Sequence, residues 1–136
     1  MRRFVIVALA SIAGVVIGVT GTRVLTAQDL PVKRTMLIQT DLVGTNGKHA
    51  NMYVTEAKPG VDLGRHYHLG HTFVYVLEGA ILIQETGKPA VTYGPGQAFH
   101  EPPQMVHDAR SGEAAPLKIL VFQAIEKGQP LAVPVK

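Results

Sequence analysis

Residues 60–79 read GVDLGRHYHLGHTFVYVLEG, and this run decides both the fold and the chemistry to be expected of the chain. His66 and His68 stand two residues apart, with Tyr67 between them. Successive side chains on a β-strand point to opposite faces, so the two imidazoles share a face while Tyr67 takes the other. Two imidazoles on one face can grip one metal ion, and a third histidine, His107, follows downstream. The run then continues into an alternating strand. Thr72, Val74 and Val76 fall on the inward face, and Phe73, Tyr75 and Leu77 form an apolar set on the outer one. Something must cover that outer set, either a second copy of the chain or its own strand around Met36 to Ile38.

The same reading extends in both directions. Short segments rich in Val, Ile, Tyr and Phe alternate with Gly, Pro and Asn punctuation, and no stretch after residue 30 carries helical periodicity. Strands are expected near 34–40, 51–57, 63–68, 72–78, 80–86, 90–93, 97–100, 106–109 and 117–125. Turns are expected at Gly44-Thr45-Asn46-Gly47, at Glu78-Gly79, at Gly87-Lys88-Pro89 and at Gly94-Pro95-Gly96. Regular short strands of this kind close into a sandwich or barrel, so the fold class is all-β. The tail from Gly128 to Lys136, with Pro130 and Pro134, reads as an extended strap over the surface.

Residues 1–27 set the compartment. Arg2 and Arg3 precede an uncharged, mostly apolar run from Phe4 to Thr22, followed by Arg23 and the small residue Ala27. This is the pattern of a signal peptide, with an uncut membrane-anchor helix as the competing reading. In either case the paired arginines keep the N-terminus in the cytoplasm and residues 28–136 become a single periplasmic or otherwise extracytoplasmic domain. Arg2, Arg3 and Arg23 also account for the whole excess of 13 Lys plus Arg over 10 Asp plus Glu. The domain itself is neutral, which gives no support to a nucleic-acid-binding face. Without cysteine it has no disulfide and no thiolate ligand.

The run at 60–79 resembles the first motif of the cupin superfamily: Gly, five residues, His-x-His, three or four residues, Glu, six residues, Gly. Gly60, His66, His68 and Gly79 fall on it. Tyr93 to Gln97, with Pro102-Pro103 and His107, resembles the second motif, whose histidine completes a metal site. Gln104 stands where that motif has glycine. The resemblance covers about residues 33 to 126 and implies a small single-domain double-stranded β-helix, or jelly roll, holding one divalent metal on His66, His68 and His107.

The first motif's glutamate is absent, because its position is Thr72. A threonine is a poor ligand for a divalent ion. His71, next door, is a candidate fourth ligand if a bulge at Gly70 turns it inward, or otherwise a pocket wall or a surface residue. Acid–base candidates are His71, His100, Glu101 and Tyr67, although Tyr67 faces away from the metal by alternation and Glu101 can instead bond a backbone amide. His49, in a Gly and Asn loop, is expected to be solvated. Three neutral imidazoles would leave the ion its full double charge and favour an anionic, chelating guest. Cupins that lack the glutamate and hold iron on three histidines include oxygen-dependent cleavage enzymes, which implies iron first, with zinc, manganese or nickel as other ions. Zinc would suit lyase or isomerase work. A binding cupin without turnover, acting as sensor or buffer, is the non-enzymatic reading, and a homodimer is the expected assembly.

Overall fold

The computed structural model describes residues 30–136; the leader assigned to residues 1–27 lies outside them. Ten strands follow in order: β1 (Val32–Asp41), β2 (Lys48–Ala57), β3 (Asp62–Tyr67), β4 (His71–Glu78), β5 (Ile81–Glu85), β6 (Val91–Tyr93), β7 (Ala98–Glu101), β8 (His107–Ser111), β9 (Leu117–Glu126) and β10 (Val133–Pro134). No helix occurs among the described residues. The strands form two antiparallel five-stranded sheets, ordered β1-β2-β9-β4-β7 and β10-β3-β8-β5-β6. All nine strands expected from the sequence are present. The tail adds a tenth, since Val133 and Pro134 pair with Tyr67 and His66.

Alternation does the sorting. On β4, Thr72, Val74 and Val76 are buried while Phe73, Tyr75 and Leu77 are exposed. On β9 the buried set is Leu117, Ile119, Val121, Gln123 and Ile125. These meet Ile81, Ile83 and Ala109 from the facing sheet, and Tyr53 and Ala57 from β2, in one core cluster. Several of these core side chains, among them Val74, Ile81, Ile119 and Val121, also line a cavity that polar side chains share.

Among the described residues, no second layer covers the outer face of β4. Strand β1 lies in the same sheet as β4, separated from it by β2 and β9, so it cannot pack on top of it. Met36 and Ile38 are themselves about half exposed. The expected turns are all found, and at Gly79 the geometry demands glycine: φ is +71° and a Cβ would strike the carbonyl of Pro116.

Gln104 takes the left-handed conformation, with φ of +63°, at the position where the second motif has glycine. Its N–H donates to the His68 carbonyl at 2.8 Å, which holds it there. A side chain in that region costs about 1–2 kcal/mol, partly offset by the lower entropy of a non-glycine unfolded chain. Gln104→Gly is therefore expected to stabilise the fold by about 0.5–1 kcal/mol, read as a Tm several degrees higher in calorimetry; an unchanged or lower Tm would show that the backbone carries no strain there.

Candidate metal centre

The candidate site is built from three strands and the loop after β3. His66 lies near the end of β3, His68 just past it, and His107 opens β8. His66 and His107 are register partners, so their side chains leave one face of the sheet together. His68 and His107 are buried and His66 is half-buried. One ring nitrogen of each lies within 4.8 Å of the others, so the three can hold a metal ion.

The backbone settles which nitrogen faces inward. Nδ1 of His66 lies 2.9 Å from the Gly64 carbonyl, that of His107 lies 3.1 Å from the Met105 carbonyl, and that of His68 lies 2.6 Å from the Leu131 carbonyl. A carbonyl only accepts, so each neutral ring carries its proton on Nδ1 and presents the Nε2 lone pair; at His68 the Gln123 Nε2 also lies 2.9 Å from Nδ1, but its two hydrogens go to Thr72 Oγ1 and the Leu131 carbonyl. This is how the partners of metal-ligating histidines hold them. Burial pushes the His66 imidazole below the ordinary histidine range; the Gly64 carbonyl opposes this, His107 and His68 add to it, and Glu101 opposes it. His66 is thus neutral, as a ligand must be.

Glu101 changes the composition of the site. Only 3% exposed, it places Oε2 3.1 Å from His68 Nε2 and Oε1 3.1 Å from His107 Nε2. With both nitrogens unprotonated, lone pairs face lone pairs in a water-poor interior, which is repulsive unless positive charge sits among them. Protons on both imidazoles would bury two cations at a large desolvation cost. A divalent ion on the three histidines would place that positive charge beside Glu101 as well. Bonds of about 2.0–2.2 Å set neighbouring ligand atoms about 3 Å apart at right angles, close to the two 3.1 Å separations between Glu101 and the histidines. The residues fit a divalent metal ion.

The register of β4 and β7 explains how the carboxylate arrives. Thr72, in the position of the motif's glutamate, is the cross-strand partner of Glu101. Partners share a face, so the acid missing from β4 enters from the neighbouring strand. Thr72 is fully buried and accepts a hydrogen bond from Gln123 Nε2 at 3.0 Å. It takes no ligand's place.

Other expected site residues lie elsewhere. His71 is exposed on the outer face, with Nδ1 2.9 Å from His100 Nε2, so neither histidine enters the cavity. Both stack with Phe73. Gly70 makes no bulge: β4 and β9 pair in register from His71, and a Cβ at Gly70 would meet the Ala124 carbonyl, so this glycine serves close packing. His49, expected to be solvated, is 9% exposed and lies 3.4 Å from Asp41. Val74 and Phe99 line the cavity. Met52 pairs with Phe122 on the opposite face.

The cavity behind the histidines has a volume of about 50 Å³ and is lined also by Tyr53, Thr55 and Arg34. None of these stood out in the sequence. Burial raises the Tyr53 phenol above its usual range; the Arg34 charge opposes this and the Glu101 charge reinforces it. Tyr53 therefore keeps its hydroxyl proton.

Two facing sheets around a three-histidine cluster define a small jelly-roll barrel with a candidate metal centre. The cupin-domain family model matches residues 53–123, and the chain belongs to the cupin family. A cupin-like protein from Thermotoga maritima is similar at 26% identity and a TM-score of 0.63, over 76% of this chain and 75% of that one. The polyketide cyclase RemF from Streptomyces resistomycificus shares the fold at 21% identity and a TM-score of 0.60, over 78% and 73% of the two chains. So does the DMSP lyase DddQ from Ruegeria pomeroyi, at 22% identity and 0.61, over 82% of this chain and 59% of that one. No match is found among curated proteins.

The C-terminal strap belongs to the site through Leu131, whose carbonyl accepts from His68 Nδ1 and, at 2.9 Å, from Gln123 Nε2. Val135 N–H anchors the strap on the Arg65 carbonyl at 2.9 Å. Deleting residues 129–136 is expected to weaken zinc binding by about 10- to 100-fold, the usual cost of losing a ligand's hydrogen-bond partner, in competition titrations with a coloured chelator. Unchanged affinity in a folded truncation would show that Leu131 does not orient His68.

Proposed function

We propose that this cupin is an exported, metal-dependent enzyme that holds one divalent ion on His66, His68, His107 and Glu101 and takes a small, chelating oxygen anion as substrate. The observation that supports this most directly is the Glu101 carboxylate 3.1 Å from two inward-facing Nε2 atoms. When bound, the ion supplies Lewis-acid polarisation of a coordinated oxygen, joined by oxygen activation if it is iron(II). The histidines and Glu101 position it, and the apolar walls Val74, Ile81, Phe99 and Val121 limit access of bulk water. With His71 and His100 outside the barrel, Tyr53 is the one phenol lining the cavity and holds a proton at its hydroxyl for a substrate oxygen. Oxygen-dependent oxidation or cleavage is the leading reaction, with lyase or isomerase chemistry as the reading for a redox-inert ion. A non-catalytic binding role is the outcome if no turnover accompanies a filled site. Export rests on the leader pattern at residues 1–27.

Elemental analysis of untagged protein prepared without chelators is the direct test. About one ion per chain is expected in the wild type, none in a His66→Ala, His68→Ala double variant, and a loss of affinity of about tenfold or more in Glu101→Gln. Iron would direct the search to oxygen uptake with small hydroxy and oxo acids, and zinc or manganese to lyase and isomerase assays. A wild-type protein that neither carries nor takes up a divalent ion would sink the metal reading.

The same proposal includes a homodimer closed over the outer face of β4 and β9. Phe73, Tyr75 and Leu77 remain 47%, 44% and 39% exposed, and Phe73, Tyr75, Leu120 and Phe122 share one groove there. Contiguous apolar surface of this kind is the usual mark of a contact site. Phe73→Asp is expected to convert dimer to monomer in sedimentation equilibrium while leaving metal content intact. A monomeric wild type would overturn the assembly.

A further inference from the structure

We infer that Arg34 is the residue that selects the substrate of this site, receiving the carboxylate of a small hydroxy or oxo acid whose second oxygen reaches the metal centre. This rests on the metal reading above and adds the class of guest and the group that recognises it.

The placement follows from register. Arg34 pairs with Thr55 across β1 and β2, and two residues on, Met36 pairs with Tyr53. Thr55 and Tyr53 are buried and both line the cavity. Cross-strand partners point to one side of a sheet, so Arg34 points inward. β1 is the edge strand of its sheet, and Arg34 is exposed to solvent at the cavity that it lines.

Arg34 is the only Lys or Arg side chain among the residues lining that cavity, and no carboxylate pairs with it among the described residues. Its neighbours behave otherwise: Lys33 on the outer side of the same strand faces Glu56 at 3.8 Å, and Arg65 holds Asp108 at 2.9 Å. A guanidinium presents a fork of donors that matches a carboxylate bidentately. Tyr53 lines the same cavity and feels the charges of both Arg34 and Glu101.

Charge and volume then narrow the guest. Glu101 cancels one unit of a divalent ion's charge, so the preference for an anion that three bare imidazoles would have created is weakened at the ion and supplied by Arg34. A cavity of about 50 Å³ admits only about four water-sized positions. That suits a two- to four-carbon acid better than an aromatic or polycyclic substrate. An acid of this kind would set its carboxylate on the Arg34 fork and turn its hydroxyl or carbonyl oxygen toward the histidines in the same cavity.

The test uses lactate and its neutral counterpart lactamide, titrated calorimetrically into full-length mature protein loaded with zinc, with metal content measured first. Lactate is expected to bind at least about tenfold more tightly than lactamide, the worth of one charge-assisted contact. Arg34→Gln should bring lactate down to the lactamide level while leaving zinc content and Tm unchanged, and Arg34→Lys should fall between, since lysine keeps the charge and loses the fork. Lactate binding unaffected in Arg34→Gln, equal affinities for the two probes, or no binding of either would overturn the assignment. Failure of the metal reading shows separately as a wild type that does not retain zinc, and in that protein a lactate preference that still vanishes in Arg34→Gln would uphold the role of Arg34 by itself.

Discussion

The carbonyl oxygens of Gly64, Met105 and Leu131 each take the Nδ1 proton of one histidine, and this sets the charge pattern of the whole interior. With their protons held on the backbone, His66, His68 and His107 turn three lone pairs toward one another. Glu101 then brings a carboxylate to two of them. Such an arrangement is unfavourable without a cation, and so the chemistry of the site is built into its hydrogen bonding before any ion arrives. Two of the carbonyls lie two residues before the histidine they hold, a local device available to any extended segment. The third comes from the far end of the chain, which makes the C-terminal strap part of the site.

The sheet that carries Glu101 shows how a barrel tolerates the loss of a motif residue. β4 and β7 are paired so that Thr72 and Glu101 stand opposite each other on the inner face. A ligand position on one strand is therefore within reach of the next strand at the same level of the barrel. The inner face of β4 stays packed through Thr72, whose hydroxyl is engaged by Gln123. The outer face of the same sheet is free to carry a different task, and there the His71 and His100 pair sits among exposed aromatic side chains.

Much of the fold was legible in the chain itself because its causes are local. Alternation of period two identified the strands, and Gly79 announced a turn that only a residue of positive φ can make. His66 and His68 share a face by the same rule, and burial of Thr72, Val74 and Val76 against exposure of Phe73, Tyr75 and Leu77 follows from it. His71 obeys that alternation as well; an inward turn would have required a bulge, and the backbone of β9 packs too closely on Gly70 to leave room for one. His49 misled for the opposite reason, since glycine and asparagine neighbours mark a turn without saying that the residue beside it is covered.

By itself, then, the sequence determined an all-β chain, a pair of histidines on one face with a third in reach, and an apolar stripe on the outside of β4. Each of these depends only on side-chain chemistry and on spacing along one strand. Tertiary structure alone decided that Glu101 joins the histidines, that Arg34 lines their cavity, and that Leu131 orients His68, because each joins segments far apart in the chain through strand register or the path of the tail. Register is a collective outcome of burying two apolar sheet faces against each other. No single segment carries it.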